Sequence, residues 1–243
     1  LMQPMRSGDR KGLADAYRAV WFDAGDTLVT IPDTEKMFVS FLAERSIEVP
    51  EERIAQALNK AFTHIYYGHR PDRYEACTPE SDRRYWVRFY EYVLEELNLS
   101  RGRNEGEIRA MCHELYELYI SPRPYVLFED VAPVLEHLSA SGKRMAVVSN
   151  FAPTLLQILE DKGIARHFEA VVVSTLVGYE KPDPRIFRYA LEVTGLDPSE
   201  VLYVGDHEVN DIWASAQVGI RSVRIKRYGY QQGTGIASLT ELL

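Results

Sequence analysis

Cysteine is scarce in this chain: Cys77 and Cys112 are the only two among 243 residues. Two thiols cannot build a disulfide framework, and these two show no metal-ligand spacing, so a disulfide-stapled scaffold and a thiolate metal site are both excluded. Positive charge is also in deficit, with 28 basic against 36 acidic side chains and a net charge of -8. Nucleic acids and anionic membranes demand a basic face, so general binding to either is excluded. No apolar run approaches the ~20 residues of a membrane-spanning helix. Residues 1–18 are polar and lack the apolar core of a signal peptide. Together these absences predict a reducing, cytoplasmic setting. What is present is a hydrophobic fraction of 46%, ordinary for a folded globular chain. The length suits one large domain, or one domain carrying an insertion. No unpaired apolar face marks a subunit contact, which leaves the oligomeric state open.

Pattern divides the chain in two. Ala19-Val20-Trp21-Phe22 is a continuous apolar run that reads as a buried strand. Helical periodicity then dominates over 35–46, 51–66, 80–97 and 105–119, with breaks at Arg70-Pro71-Asp72 and Ser100-Arg101-Gly102. Trp86, Tyr90, Val93 and Leu97 share one face of the third helix. From Val126 onward, helices alternate with strands. Strands are expected over 145–148, 168–173, 201–204 and 220–225, and helices over 130–141, 153–163 and 211–218, with one more starting at Asp183-Pro184. Asp130 reads as the N-cap of the first of these. Strands separated by helices imply a doubly wound parallel sheet of Rossmann-like α/β type. The expected organisation is therefore an α/β core made of 1–30 and 124–243, split by an all-helical insertion over 31–123.

In open α/β sheets, ligands bind at the carboxyl ends of the strands. Asp23 follows the first strand, Ser149-Asn150 follow the strand over 145–148, and Gly205-Asp206 follow the strand over 201–204. Lys181 lies in the loop between Val173 and Pro184. Any one of these is unremarkable as a cap or a surface residue; four complementary groups at successive strand ends suit phosphoryl transfer. Asp23 and Asp206 can hold a hard cation such as Mg²⁺ through oxygen. The cation and Lys181 would neutralise a transferring phosphoryl group, Ser149 would bind its oxygens, and an Asp carboxylate is an established nucleophile.

The same residues carry a family resemblance. Phe22-Asp23-Ala24-Gly25-Asp26-Thr27-Leu28 resembles the first motif of the haloacid dehalogenase (HAD) superfamily, and Val147-Val148-Ser149-Asn150 the second. Lys181-Pro182-Asp183-Pro184 resembles the third, and Gly205-Asp206-His207-Glu208-Val209-Asn210-Asp211 the fourth. Ser149-Asn150-Phe151 and the run from Gly178 to Phe187 are most similar to the branch of HAD-like hydrolase domain-containing proteins. The resemblance implies a helical cap inserted after the first motif. It also implies roles: Asp23 as nucleophile and Mg²⁺ ligand, the Gly25 carbonyl and Asp206 as further ligands, and Asp211 as metal support. Thr27 would orient the first loop. Ser149 and Asn150 would hold the phosphoryl group, and Lys181 would pair with it and with Asp23. The implied activity is Mg²⁺-dependent hydrolysis of a small phosphorylated metabolite.

One position departs from the pattern. Phosphatases of this superfamily carry a second Asp two residues after the nucleophile, where it protonates the leaving group. Here Gly25 stands there, and Asp26 comes one residue later. Asp26 reads as a solvent-facing or turn-bonding residue, and Gly25 as a candidate for positive φ. The departure keeps other readings alive: a 2-haloacid dehalogenase, a phosphonatase-type hydrolase, or a weakly active member that binds a phosphorylated ligand or a partner. Asp206 favours the metal-dependent reading, because halide departs without a metal. Asp183 reads as a helix cap. His207 reads equally as a contact to metal-bound water or as loop packing. The insertion is rich in Tyr and Arg, including Tyr66, Tyr67, Arg70, Arg84 and Arg88; for each singly, packing or solvation is the better account.

Overall fold

The computed structural model describes residues 12–67 and 73–243. The chain terminus over 1–11, His69 and the break at Arg70-Pro71-Asp72 lie outside the described residues.

Five parallel strands form the central sheet: β1 (Ala19–Phe22), β4 (Arg144–Ser149), β5 (Ala170–Val173), β6 (Val201–Gly205) and β7 (Arg221–Arg224), in the order β5-β4-β1-β6-β7. β2 (Val29–Thr30) and β3 (Val126–Leu127) make a separate antiparallel pair. Every residue of β1 and β6 is buried, as a strand covered on both faces requires. Alternate side chains go to opposite faces. Val20, Phe22, Met145, Val147, Leu202 and Val204 pack with α5 (Val131–Ala140) and α6 (Leu155–Asp161). Ala19, Trp21, Ala146, Val148 and Tyr203 pack on the other side with α8 (Arg185–Thr194), which follows the single-turn α7 (Ser174–Val177). The expected doubly wound α/β architecture is the observed one.

Between β2 and β3 the chain forms α1 (Thr34–Ala43), α2 (Glu51–Ala61), α3 (Pro79–Glu96) and α4 (Glu105–Ile120). These helices bury a core of their own, built from Phe38, Ile54, Phe89, Val93 and Leu115 among others. Tyr90, Val93 and Leu97 lie in that core as the periodicity predicts, while Trp86 packs at its margin, partly buried. The outgoing and returning strands meet in the β2–β3 ribbon, with Val29 opposite Leu127 and Thr30 opposite Val126.

Three local expectations need correction. Asp130 makes no side-chain cap bond to α5. Its Oδ2 instead accepts from Arg227 Nη1 at 2.7 Å, Ser238 Oγ at 2.9 Å and the Leu239 amide at 2.7 Å, tying the sheet layer to the C-terminal segment. The helix after the fourth motif starts earlier and is wider than the pattern suggested. It is π-helical over Glu208–Trp213 and continues as α9 (Ala214–Ala216). α8 starts at Arg185, one residue late, yet Asp183 still accepts from the Arg185 amide at 2.9 Å.

The Arg227–Asp130 pair is almost fully covered, with side chains 6% and 12% exposed. Arg227 also donates Nη2 to the Thr27 carbonyl at 2.6 Å, reaching the loop that follows β1. Truncation would leave a covered carboxylate without its charge partner, held only by Ser238 and the Leu239 amide, and a carbonyl without its donor. Arg227→Ala is therefore expected to cost about 3 kcal/mol in a chemical denaturation series. A loss under about 1 kcal/mol would show that water replaces both contacts.

Candidate active site

Asp23 leaves the end of β1 with its amide held by the Val204 carbonyl at 2.8 Å, so its side chain rises at the centre of the sheet's carboxyl edge. Three donors address it. Ser149 Oγ, from the last residue of β4, donates to Oδ1 at 2.8 Å, and Lys181 Nζ donates to the same oxygen at 2.7 Å. Thr27 Oγ1 reaches Oδ2 only at 3.5 Å, which leaves that oxygen weakly satisfied. Burial pushes the Asp23 carboxyl up to about 6, with Lys181 pulling against it.

Lys181 spends all three ammonium hydrogens on fixed partners: Asp23, Asp211 Oδ1 at 2.6 Å and Tyr203 OH at 3.0 Å. Burial alone would lower its pKa, but the charges of Asp211 and Asp23 outweigh burial and hold it above its ordinary value. Asn150 holds the loop that carries Lys181. Its Oδ1 accepts from the Lys181 amide and its Nδ2 donates to the Lys181 carbonyl, both at 2.7 Å. Both ends of the amide thereby clamp the Lys181 backbone, with the second Nδ2 hydrogen left over.

Asp206 is buried at the end of β6, and burial raises its carboxyl well above the ordinary range. Gln231 Nε2 reaches its Oδ2 at 3.3 Å; among the described residues, Oδ1 takes no donor. Asp211 is better satisfied, with Oδ1 on Lys181 and Tyr203 and Oδ2 on the His207 amide at 2.8 Å. Gly205 is required here: a Cβ would collide with the Asp211 carboxylate. One oxygen each of Asp23, Asp206 and Asp211 lies within 4.8 Å of the others. Three carboxyl groups face one ammonium in a desolvated space, where burial disfavours the ionised forms of Asp23 and Asp206, and a divalent cation would supply the missing positive charge. The donor chemistry fits Mg²⁺, through Asp23 and Asp206 with Asp211 as support.

The first loop corrects two expectations. Gly25 does not adopt a left-handed conformation; Asp26 does, with φ 54. Asp26 is not solvent-facing either. Its carboxylate accepts from Tyr228 OH at 2.6 Å and Thr30 Oγ1 at 3.1 Å, and burial raises its pKa. Its bonds run to the root of the β2–β3 ribbon and to the loop beside it rather than within its own turn, so neither reading given to it is the observed one.

His207 holds the start of the π-helical turn. Its Nδ1 accepts from the amides of Val209 at 3.1 Å and Asn210 at 3.0 Å. The proton therefore sits on Nε2, which is buried without a partner. Above it lie Tyr66 and Tyr67, at the end of the π-helical extension Phe62–Tyr66 of α2, with ring centroids 5.6 and 5.2 Å from the imidazole. Sequence reasoning missed Tyr203, which reads as core inside an apolar strand, and Gln231 and Tyr228, distant in sequence. The only available signal was the Arg227-Tyr228-Gly229-Tyr230-Gln231 loop just past the last strand.

Residues 17–219 match the family model of the haloacid dehalogenase-like hydrolases. The chain belongs to this family. It is 30% identical over 207 residues to haloacid dehalogenase-like hydrolase domain-containing protein 3 of Mus musculus, covering 84% of this chain and 80% of that protein. Phosphoserine phosphatase of Thermus thermophilus is 35% identical over 124 residues, half of each chain. Among solved structures, the HAD-hydrolase YfnB of Bacillus subtilis bound to magnesium superposes with a TM-score of 0.70 at 18% identity, covering 93% and 96% of the two chains. That likeness concerns the fold. The chain is thus a hydrolase of the HAD-like family, and no described helix is long and apolar enough to cross a membrane.

Proposed function

We propose that this HAD-like hydrolase is a cytoplasmic, Mg²⁺-dependent phosphohydrolase. It acts on a small phosphorylated metabolite through an aspartyl-phosphate at Asp23. The observation that carries the reading is the Asp23 carboxylate itself. One oxygen is fixed by Ser149 and Lys181, and the other is left nearly free at the head of the sheet. The phosphatase relatives support the same reading. Asp23 Oδ2 attacks phosphorus, the bond from phosphorus to the leaving oxygen breaks, and that oxygen keeps the electron pair. Water then attacks phosphorus, the bond from phosphorus to Asp23 Oδ2 breaks, and inorganic phosphate leaves with the carboxylate restored and the water proton passed to solvent. Lys181 balances the charge on Asp23 and on the phosphoryl oxygens, while Asn150, Tyr203 and Asp211 keep the ammonium in place. Bound Mg²⁺ supplies Lewis-acid stabilisation of the phosphoryl charge. Residues 31–123 act as a cap over this site, hinged at the β2–β3 ribbon.

A dehalogenase would gain nothing from a third buried carboxylate at Asp206. A screen against phosphate esters, acyl phosphates and haloacids, with Mg²⁺ and with chelator, separates the readings: phosphate release that chelator stops supports this one, and halide release insensitive to chelator overturns it. Calorimetry tests the metal site. Asp206→Asn removes the carboxylate with an unbonded oxygen and is expected to weaken Mg²⁺ binding by at least tenfold. Equal affinity in the variant would remove Asp206 from the ligand set.

A further inference from the structure

Beside Asp206 a cavity of about 170 Å³ opens between the helical insertion and the loop after β7. Tyr67 and Tyr230 wall it, and Asp206, Arg224, Gln231 and Gln232 complete the lining. The polar side chains are largely spent inward. Arg224 donates to the Asp206 carbonyl at 2.9 Å and the Gln232 carbonyl at 2.7 Å. Gln231 accepts from the Tyr228 amide at 3.0 Å and donates to Asp206. The two tyrosine rings behave differently. Each is backed on one face, Tyr67 by His207 at an interplanar angle of 18° and Tyr230 by Tyr228 at 5°. Yet Tyr67 is 47% and Tyr230 66% exposed. Two braced, partly exposed rings thus stand at a cavity that the buried Asp206 carboxylate also lines.

We propose that this cavity receives the leaving group, and that the substrate class is aryl phosphate monoesters. The proposal rests on the phosphohydrolase reading and narrows it. A second, independent observation converges on it: Gly25 provides no acid for the leaving oxygen. A phenol, with pKa about 10, departs as a phenolate far more readily than an alcohol, whose acidity is nearer that of water at about 16. The bond from phosphorus to the aryl oxygen breaks as Asp23 bonds to phosphorus. The phenolate carries the electron pair away and takes its proton from solvent.

The test compares phenyl phosphate with acetyl phosphate, a good leaving group that has no ring. In Tyr67→Ala and Tyr230→Ala, the ratio of kcat/KM for phenyl phosphate to that for acetyl phosphate is expected to fall about five- to tenfold, through KM. Tyr67→Phe and Tyr230→Phe keep the ring and should hold the ratio within about twofold of wild type. An unchanged ratio in both Ala variants, or equal losses on the two substrates, overturns this role for the cavity and leaves the phosphohydrolase reading standing. Failure of the wild-type protein with Mg²⁺ to turn over either compound overturns both.

Discussion

Asp23→Asn should lose about 10⁴-fold or more in turnover while melting within a few degrees of the wild-type protein. The catalytic loss follows from chemistry: an amide oxygen does not attack phosphorus as a carboxylate does, and removal of a residue on which the covalent step depends costs ~10⁴–10⁶-fold in well-studied enzymes. The retained stability follows from the surroundings of the side chain. Burial raises the Asp23 carboxyl to about 6, so at neutral pH the folded, metal-free protein holds an ionised group in a place that disfavours it. The sign is that of a carboxyl raised on folding, which costs stability above its unfolded pKa. A neutral amide of the same shape removes that cost. It can still accept from Ser149, and Lys181 keeps Asp211 and Tyr203. Initial rates with Mg²⁺ and a thermal melt in chelator give the two readouts. Residual activity above about one part in a hundred would show that Asp23 is not the nucleophile. A melt far below wild type would mean that the lysine depends on Asp23 for its place.

Much of this site could be read from the chain because its residues stand at the ends of strands that are apolar throughout. The runs Ala19–Phe22 and Val201–Gly205 declare themselves by composition. The parallel topology then places Asp23 and Asp206 side by side, since β1 and β6 are neighbours. Lys181 was legible from its motif, though not its bond to Tyr203. Tyr203 lies in a buried strand, where an aromatic residue reads as packing, and its hydroxyl acquires a role only when β4 and β6 flank β1 and the loop after β5 folds over them. The role of Asn150 at the phosphoryl group is what the family resemblance implies. The observed clamp on Lys181 depends on how the next loop returns, which local pattern does not encode. β2 and β3 have two residues each, too few for any period. The π-helical turns at Phe62–Tyr66 and Glu208–Trp213 keep helical composition while shifting which side chains share a face. That shift hid Tyr66 and Tyr67. Each looked like cap packing when taken singly, and the two stand together over His207.

Gly25→Asp should raise the rate on alkyl phosphates by ~10²–10⁴-fold and change the rate on acetyl phosphate little. The native protein should show the complementary profile. With no acid two residues after Asp23, acetyl phosphate or p-nitrophenyl phosphate should be hydrolysed ~10²–10⁴-fold faster than a sugar phosphate, because only the sugar alkoxide needs a proton as it leaves. A carboxyl at position 25 fits for two reasons. A Cβ built on Gly25 meets nothing within 4 Å, and the left-handed residue of the turn is Asp26, so the backbone at 25 does not resist a side chain. Asp26 is no substitute for it, since Tyr228 and Thr30 hold its carboxylate at the ribbon's root. Steady-state rates across a leaving-group series, with chemistry shown to limit turnover, measure both halves of the prediction. Equal native rates on good and poor leaving groups would mean that another residue donates the proton. In that event Gly25→Asp should add little, because the leaving oxygen would already have its acid.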